Sequence, residues 1–153
     1  MTAGAGAYDY AQIGWWKVGG WTGPFYFTEY SNSSGLWNQQ TFSAASVPSN
    51  NDFKVGSDST TMFFVLNSVT KTTVLLSTLG WSPTEVQLLG ETHDTGDQSP
   101  GSVLNPISMG TAQYKNASFV WVSAGVSEVS DLSTQANNVD PGDTSWEVWD
   151  TRY

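Results

Sequence analysis

No window of a dozen residues in this chain repeats apolar side chains at the 3, 4 and 7 spacing of a helix that buries one face. Ser, Thr, Gly and β-branched residues dominate instead, in short segments broken by turn clusters, as in an all-β domain. The breaks fall at Gly19-Gly20, Ser31-Asn32-Ser33-Ser34-Gly35, Pro48-Ser49-Asn50-Asn51, Ser99-Pro100-Gly101 and Asp140-Pro141-Gly142-Asp143. Strands are expected near Tyr8–Val18, Pro24–Tyr30, Asp52–Val55, Thr61–Asn67, Thr72–Ser77, Thr84–Thr92, Ile107–Tyr114, Ser118–Val122 and Trp146–Asp150, with no helix. A length of 153 residues is enough for one domain to close its own core, and no linker or repeat divides it. The expected architecture is a single two-sheet antiparallel β-sandwich spanning residues 1–153.

Alternation along a strand sends successive side chains to opposite faces. In Tyr8–Val18 the residues Tyr8, Tyr10, Gln12, Gly14 and Trp16 share one face, while Ala11, Ile13 and Trp15 share the other. In Thr84–His93 the residues Glu85, Gln87, Leu89, Glu91 and His93 lie opposite Val86, Leu88, Gly90 and Thr92. Each strand therefore has a core face and a polar face. Two such polar faces could line a groove.

Charge removes several classes of function. Fourteen acidic residues against five basic ones give a net charge of −9, and Lys17, Lys54, Lys71, Lys115 and Arg152 stand singly. No basic patch exists to neutralise phosphates, so neither nucleic acid nor an anionic membrane is an expected partner. There is no cysteine, which excludes disulfides, zinc-thiolate sites and a Cys nucleophile. Apolar runs such as Phe63-Phe64-Val65-Leu66 are too short to cross a bilayer. Only 12% of residues are charged, about half the usual share, so Ser, Thr, Asn and Gln must carry surface polarity. That profile suits a secreted protein. The first residues show no signal peptide, so either the protein is cytosolic or a leader has been removed, and composition favours the second.

A Ser-His-Asp hydrolase is a poor fit. His93 is the sole histidine, and Gly80-Trp81-Ser82-Pro83-Thr84 lacks the strand-to-helix setting of a nucleophile elbow. Asp94 and Asp97 beside His93 offer hard oxygen ligands, but one His cannot build a zinc site and the spacing is not that of an EF-hand. An acidic, solvated turn is the simpler reading, with calcium in that loop left open. No cofactor is expected.

Three segments resemble the glutamic peptidases (eqolisins) in order along the chain. Tyr10-Ala11-Gln12-Ile13-Gly14-Trp15 is similar to the strand bearing their catalytic glutamine. Phe25-Tyr26-Phe27-Thr28-Glu29-Tyr30 resembles the aromatic strand with an embedded Glu that follows it. Leu88-Leu89-Gly90-Glu91-Thr92-His93 falls where their catalytic glutamate strand comes, although those enzymes flank that glutamate with Ala and Trp rather than Gly90 and Thr92. The same segments resemble the neprosin-type prolyl endopeptidases, and, with Trp146-Glu147-Val148-Trp149-Asp150, uncharacterised secreted actinobacterial proteins. The resemblance implies a concanavalin A-like jelly roll and a secreted endopeptidase working at acidic pH. It makes Gln12 and Glu91 the catalytic pair, with Tyr10, Trp16, Tyr26, Glu29 and His93 as substrate-binding residues.

The chemistry such a pair would perform follows from the residue types. A carboxylate can deprotonate the water that attacks a peptide carbonyl and pass the proton to the leaving amine. A glutamine NH2 can donate to the developing oxyanion without adding charge. An ordinary glutamate, with a pKa of about 4.3, is ionised in mildly acidic solution. The alternative is a non-catalytic sandwich that binds carbohydrate, or has a structural role in assembly. Eight Trp and six Tyr exceed what one small core needs, and exposed aromatic rings with neighbouring amides suit sugars. Trp16, Trp21, Tyr26, Trp37 and Trp81 would form that platform. The expected partner is thus a peptide or a glycan.

Overall fold

The computed structural model describes residues 2–6, 9–17, 22–44, 50–83, 85–87, 90, 92, 96–116, 118–124, 133–139 and 145–153. The chain is all-β with antiparallel sheets, and it divides into two compact units, Met1–Gln87 and Leu88–Tyr153. The first unit contains β1 (Thr2–Gly6), β2 (Asp9–Trp16), β3 (Phe25–Ser31), β4 (Trp37–Ala44), β5 (Phe53–Ser57), β6 (Thr61–Leu66), β7 (Val69–Leu75), the helical turn α1 (Leu76–Leu79) and β8 (Glu85–Gln87). The second contains β9 (Ile107–Met109), β10 (Gln113–Lys115), β11 (Trp121–Ser123), β12 (Gln135–Val139) and β13 (Trp146–Asp150).

In the first unit a five-stranded sheet, ordered β4-β3-β2-β1-β8, accompanies a three-stranded meander, β5-β6-β7. The pattern that builds β6 is strict alternation: Met62, Phe64 and Leu66 are buried while Thr61, Phe63 and Val65 are less so. Those three side chains meet Ala11, Ile13, Tyr26, Val74, Leu79 and Trp81 in one core, giving a sandwich-like pair of layers. Tyr30 stacks on Phe64 with ring centroids 6.3 Å apart, and Tyr26 packs on Phe53 at 6.1 Å. Fully burying an apolar side chain of this size contributes roughly 1.5–3 kcal/mol, and Ile13, Met62, Phe64 and Leu79 are all buried. The polar groups that enter the core are paired. Thr72 Oγ1 donates to Gln40 Oε1 at 2.9 Å, which uses its single proton and leaves Thr28 as donor in the 2.8 Å Thr28–Thr72 contact.

Turn chemistry sets the registers. Asn67 and Ser68 both have positive φ, 49° and 65°, which joins β6 to β7 through a two-residue turn whose twist matches the strands. Asn67 Oδ1 also accepts from the Asp52 amide at 2.8 Å, tying that turn to the start of β5. Asp58 accepts from the amides of Thr60 and Thr61, each at 2.8 Å, and those bonds hold its carboxyl below the ordinary value.

Several boundaries differ from the sequence reading. The expected strand at Thr72–Ser77 instead begins at Val69 and yields at Leu76 to the turn α1. Gly80 ends that turn with φ 71°, and a Cβ there would meet Ser33 Oγ, so the position needs glycine on both counts. The expected strand at Ile107–Tyr114 is two strands, β9 and β10, separated where Thr111 adopts φ 59°. Strands β1, β4 and β12 lie in stretches that the pattern left unassigned. Of the strand expected at Thr84–Thr92, Glu85–Gln87 is observed; Thr84, Leu88, Leu89 and Glu91 lie outside the described residues.

In the second unit β12, β13 and β9 form a three-stranded antiparallel sheet, and β10 pairs with β11. Its most constrained point is Asp150, which has no exposed surface. Arg152 grips it with two side-chain bonds, Nε to Oδ1 at 2.9 Å and Nη2 to Oδ2 at 2.7 Å. The amides of Arg152 and Ser99 complete the shell at 2.9 Å each, and Arg152 Nη2 also reaches the Asp97 carbonyl at 2.6 Å. The Arg152 side-chain bonds, followed by these amides, hold the carboxyl far below the usual carboxylate range, outweighing the opposing effect of burial. No helix among the described residues is long and apolar enough to cross a membrane.

Candidate functional site

The outward face of the five-stranded sheet carries the polar cluster that the sequence singled out in part. Register puts Gln12 opposite Glu29 and Glu29 opposite Gln39, so β2, β3 and β4 each contribute one residue to a single row. Because directly paired residues share a face, these three side chains stand together, away from Ala11, Ile13 and Thr28. The next row holds Tyr10, Ser31 and Trp37, and the row on the other side holds Gly14, Phe27 and Thr41. Gly14 leaves room for the Phe27 ring, since a Cβ there would come to 3.3 Å from Phe27 Cε1. Trp16 meets Phe27 edge-on at 6.3 Å between centroids.

Glu29 is the centre of the cluster and is only 9% exposed. Its Oε1 accepts from the Tyr10 hydroxyl and from Gln12 Nε2 at 3.3 Å, and its Oε2 accepts from Gln39 Nε2 at 2.8 Å. No Lys or Arg makes an ion pair with it among the described residues. Three neutral donors therefore compensate the desolvation of this carboxylate. Chemically, the face offers amide and hydroxyl donors organised around one anion, flanked by aromatic rings.

Of the residues expected to bind substrate, Tyr10, Trp16 and Glu29 are on this face with Gln12. Tyr26 is not. It lies on the core side of β3, 7% exposed, and its hydroxyl donates to Asn51 Oδ1 at 3.0 Å. Its neighbours in sequence made it look like part of an aromatic platform, but Tyr26 has the parity of Thr28, whose side chain is buried. Glu91 and His93 lie outside the described residues, as do Trp21 and Asp94. Among the platform candidates Trp37 is 60% exposed, whereas Trp81 is buried and its indole donates to the Ser31 carbonyl at 2.8 Å. Among the described residues no three His, Asp or Glu side chains gather as metal ligands. Gln39 was missed because Trp37–Ala44 alternates without a clear apolar face. Once that stretch is recognised as a strand, its pairing with Glu29 follows from the register of β3.

Strand β8, Glu85–Gln87, belongs to this same sheet. Register pairs Thr2 with both Gln12 and Gln87, and Gly4 with both Tyr10 and Glu85. Gln87 therefore occupies the register row of Gln12, and Glu85 that of Tyr10, with β1 between. Comparisons of the chain with protein-family models, with curated proteins and with solved structures each returned no match.

Proposed function

We propose that the protein is a secreted, glutamic-peptidase-like endopeptidase of the jelly-roll type, which hydrolyses peptide bonds at acidic pH. In this reading Glu91 takes a proton from the attacking water, and Gln12 donates to the oxyanion that forms on the carbonyl. Glu91 then returns the proton to the leaving amine, so that water is divided between the two products. Tyr10 and Trp16 line the substrate face, with Glu29 bonded to Tyr10 and Gln12. The observation that carries the proposal is the outward sheet face on which Gln12 stands with Tyr10, Glu29 and Gln39. The ordered resemblance of the three segments supplies the roles. The low share of charged residues supports secretion.

A second reading has one observation of its own. Trp37 is exposed and sits one row from the Gln12 and Gln39 amides, the pairing of ring and hydrogen bonders that suits a sugar. Incubating a denatured protein with wild type and with Gln12→Ala between mildly acidic and neutral pH separates the two. A peptidase generates new peptide termini, and Gln12→Ala keeps substrate affinity while losing about 10²–10³ in turnover, as for one oxyanion donor. Glycan binding with no cleavage by wild type favours the carbohydrate module instead.

A further inference from the structure

We propose that Glu29 is a positioning residue, whose carboxylate sets the orientation of the Gln12 side-chain amide; this rests on the peptidase reading above. A glutamine amide has a donor end and an acceptor end of nearly equal shape, and only its surroundings decide which points where. An ionised carboxylate is purely an acceptor. Opposite Glu29, therefore, Gln12 must present Nε2, which it does at 3.3 Å. Fixing the nitrogen end fixes the direction in which both of its N–H groups point. An oxyanion donor needs that direction set before the charge develops.

The rest of the cluster holds Glu29 itself in place. The Tyr10 hydroxyl bonds the same oxygen as Gln12, and Gln39 bonds the other at 2.8 Å. The carboxylate is thus engaged at both oxygens and from both neighbouring strands, β2 and β4. With 9% of its surface exposed, Glu29 is better placed to organise its neighbours than to meet a substrate. An uncharged residue of the same shape would lose the selection. A glutamine at position 29 could accept from Gln12 or donate to it, so both amides could turn over together.

The test is a double-mutant cycle on peptide cleavage with Glu29→Gln, Gln12→Ala and the combination. Glu29→Gln should lower kcat by about 10- to 100-fold, by analogy with removal of the hydrogen-bond partners that orient metal-ligating side chains, with KM nearly unchanged. The combined variant should be no slower than Gln12→Ala alone, because Glu29 acts through Gln12. A merely structural role would make the two losses multiply. Should Glu29→Gln fail to fold, wild-type NMR carries the same test. The Gln12 amide protons should show nuclear Overhauser contacts to Tyr10, its partner on the same carboxylate oxygen. Full kcat in Glu29→Gln, multiplying losses, or a Gln12 amide that averages between both orientations overturns the inference and leaves the peptidase reading intact. No cleavage by wild type overturns that reading and this inference with it.

Discussion

At the scale of single residues, the same side-chain type does different work according to strand parity. Gln12 and Gln39 face outward onto Glu29, while Gln40, one residue along, has the opposite parity and accepts from Thr72. Tyr10 bonds Glu29, whereas Tyr26 is buried and bonds Asn51. The inner set fixes stability. Phe64 has no exposed surface and stacks on Tyr30, so Phe64→Ala should cost about 3–5 kcal/mol. Urea unfolding of wild type and variant checks this; a loss below about 1 kcal/mol would mean that the site collapses around the gap. Alternation made Gln12 legible as a polar-face residue, with Ala11 and Ile13 on the buried side. It did not reveal the three donors on Glu29, because all three come from neighbouring strands and depend on register rather than on local pattern.

At the scale of elements, β6 and β13 were readable almost to the residue, since each is a compact run of β-branched or aromatic residues between turn signals. Strand β4 was not, because Trp37–Ala44 is mostly polar on both faces and its pairing with β3 defines it. Strand β12 has the same character, with Asn137 and Asn138 where an apolar alternation would be expected. The end of β13 shows how much can depend on a short segment. Gly101, at φ 82°, brings its backbone so close that a Cβ would lie 2.8 Å from the Val148 carbonyl oxygen. Next to it, Asp150 is locked by Arg152 and the Ser99 amide. The folded carboxyl titrates below its unfolded value, so its contribution is complete above about that value and is lost as pH falls through the folded one. Asp150→Asn should therefore lower stability at neutral pH. The gap to wild type should stay constant down to the ordinary carboxyl value of 3.8 and narrow below it. Urea midpoints across that range provide the measurement; a gap that widens on acidification contradicts the assignment.

At the scale of the whole molecule, the absence of helical periodicity correctly implied an all-β chain with antiparallel sheets. The net charge of −9 also bears on where the protein would work, because mild acid reduces the self-repulsion of such a chain while leaving an ordinary glutamate partly ionised. A peptidase built on Gln12 and Glu91 would use that window. The most direct test of the central claim compares wild type with Glu91→Gln on a denatured protein substrate in mildly acidic solution, with new termini counted by mass spectrometry. Wild type should cleave and Glu91→Gln should not, since an amide cannot take a proton from water. Equal cleavage by the two proteins, or none by wild type, would contradict the account.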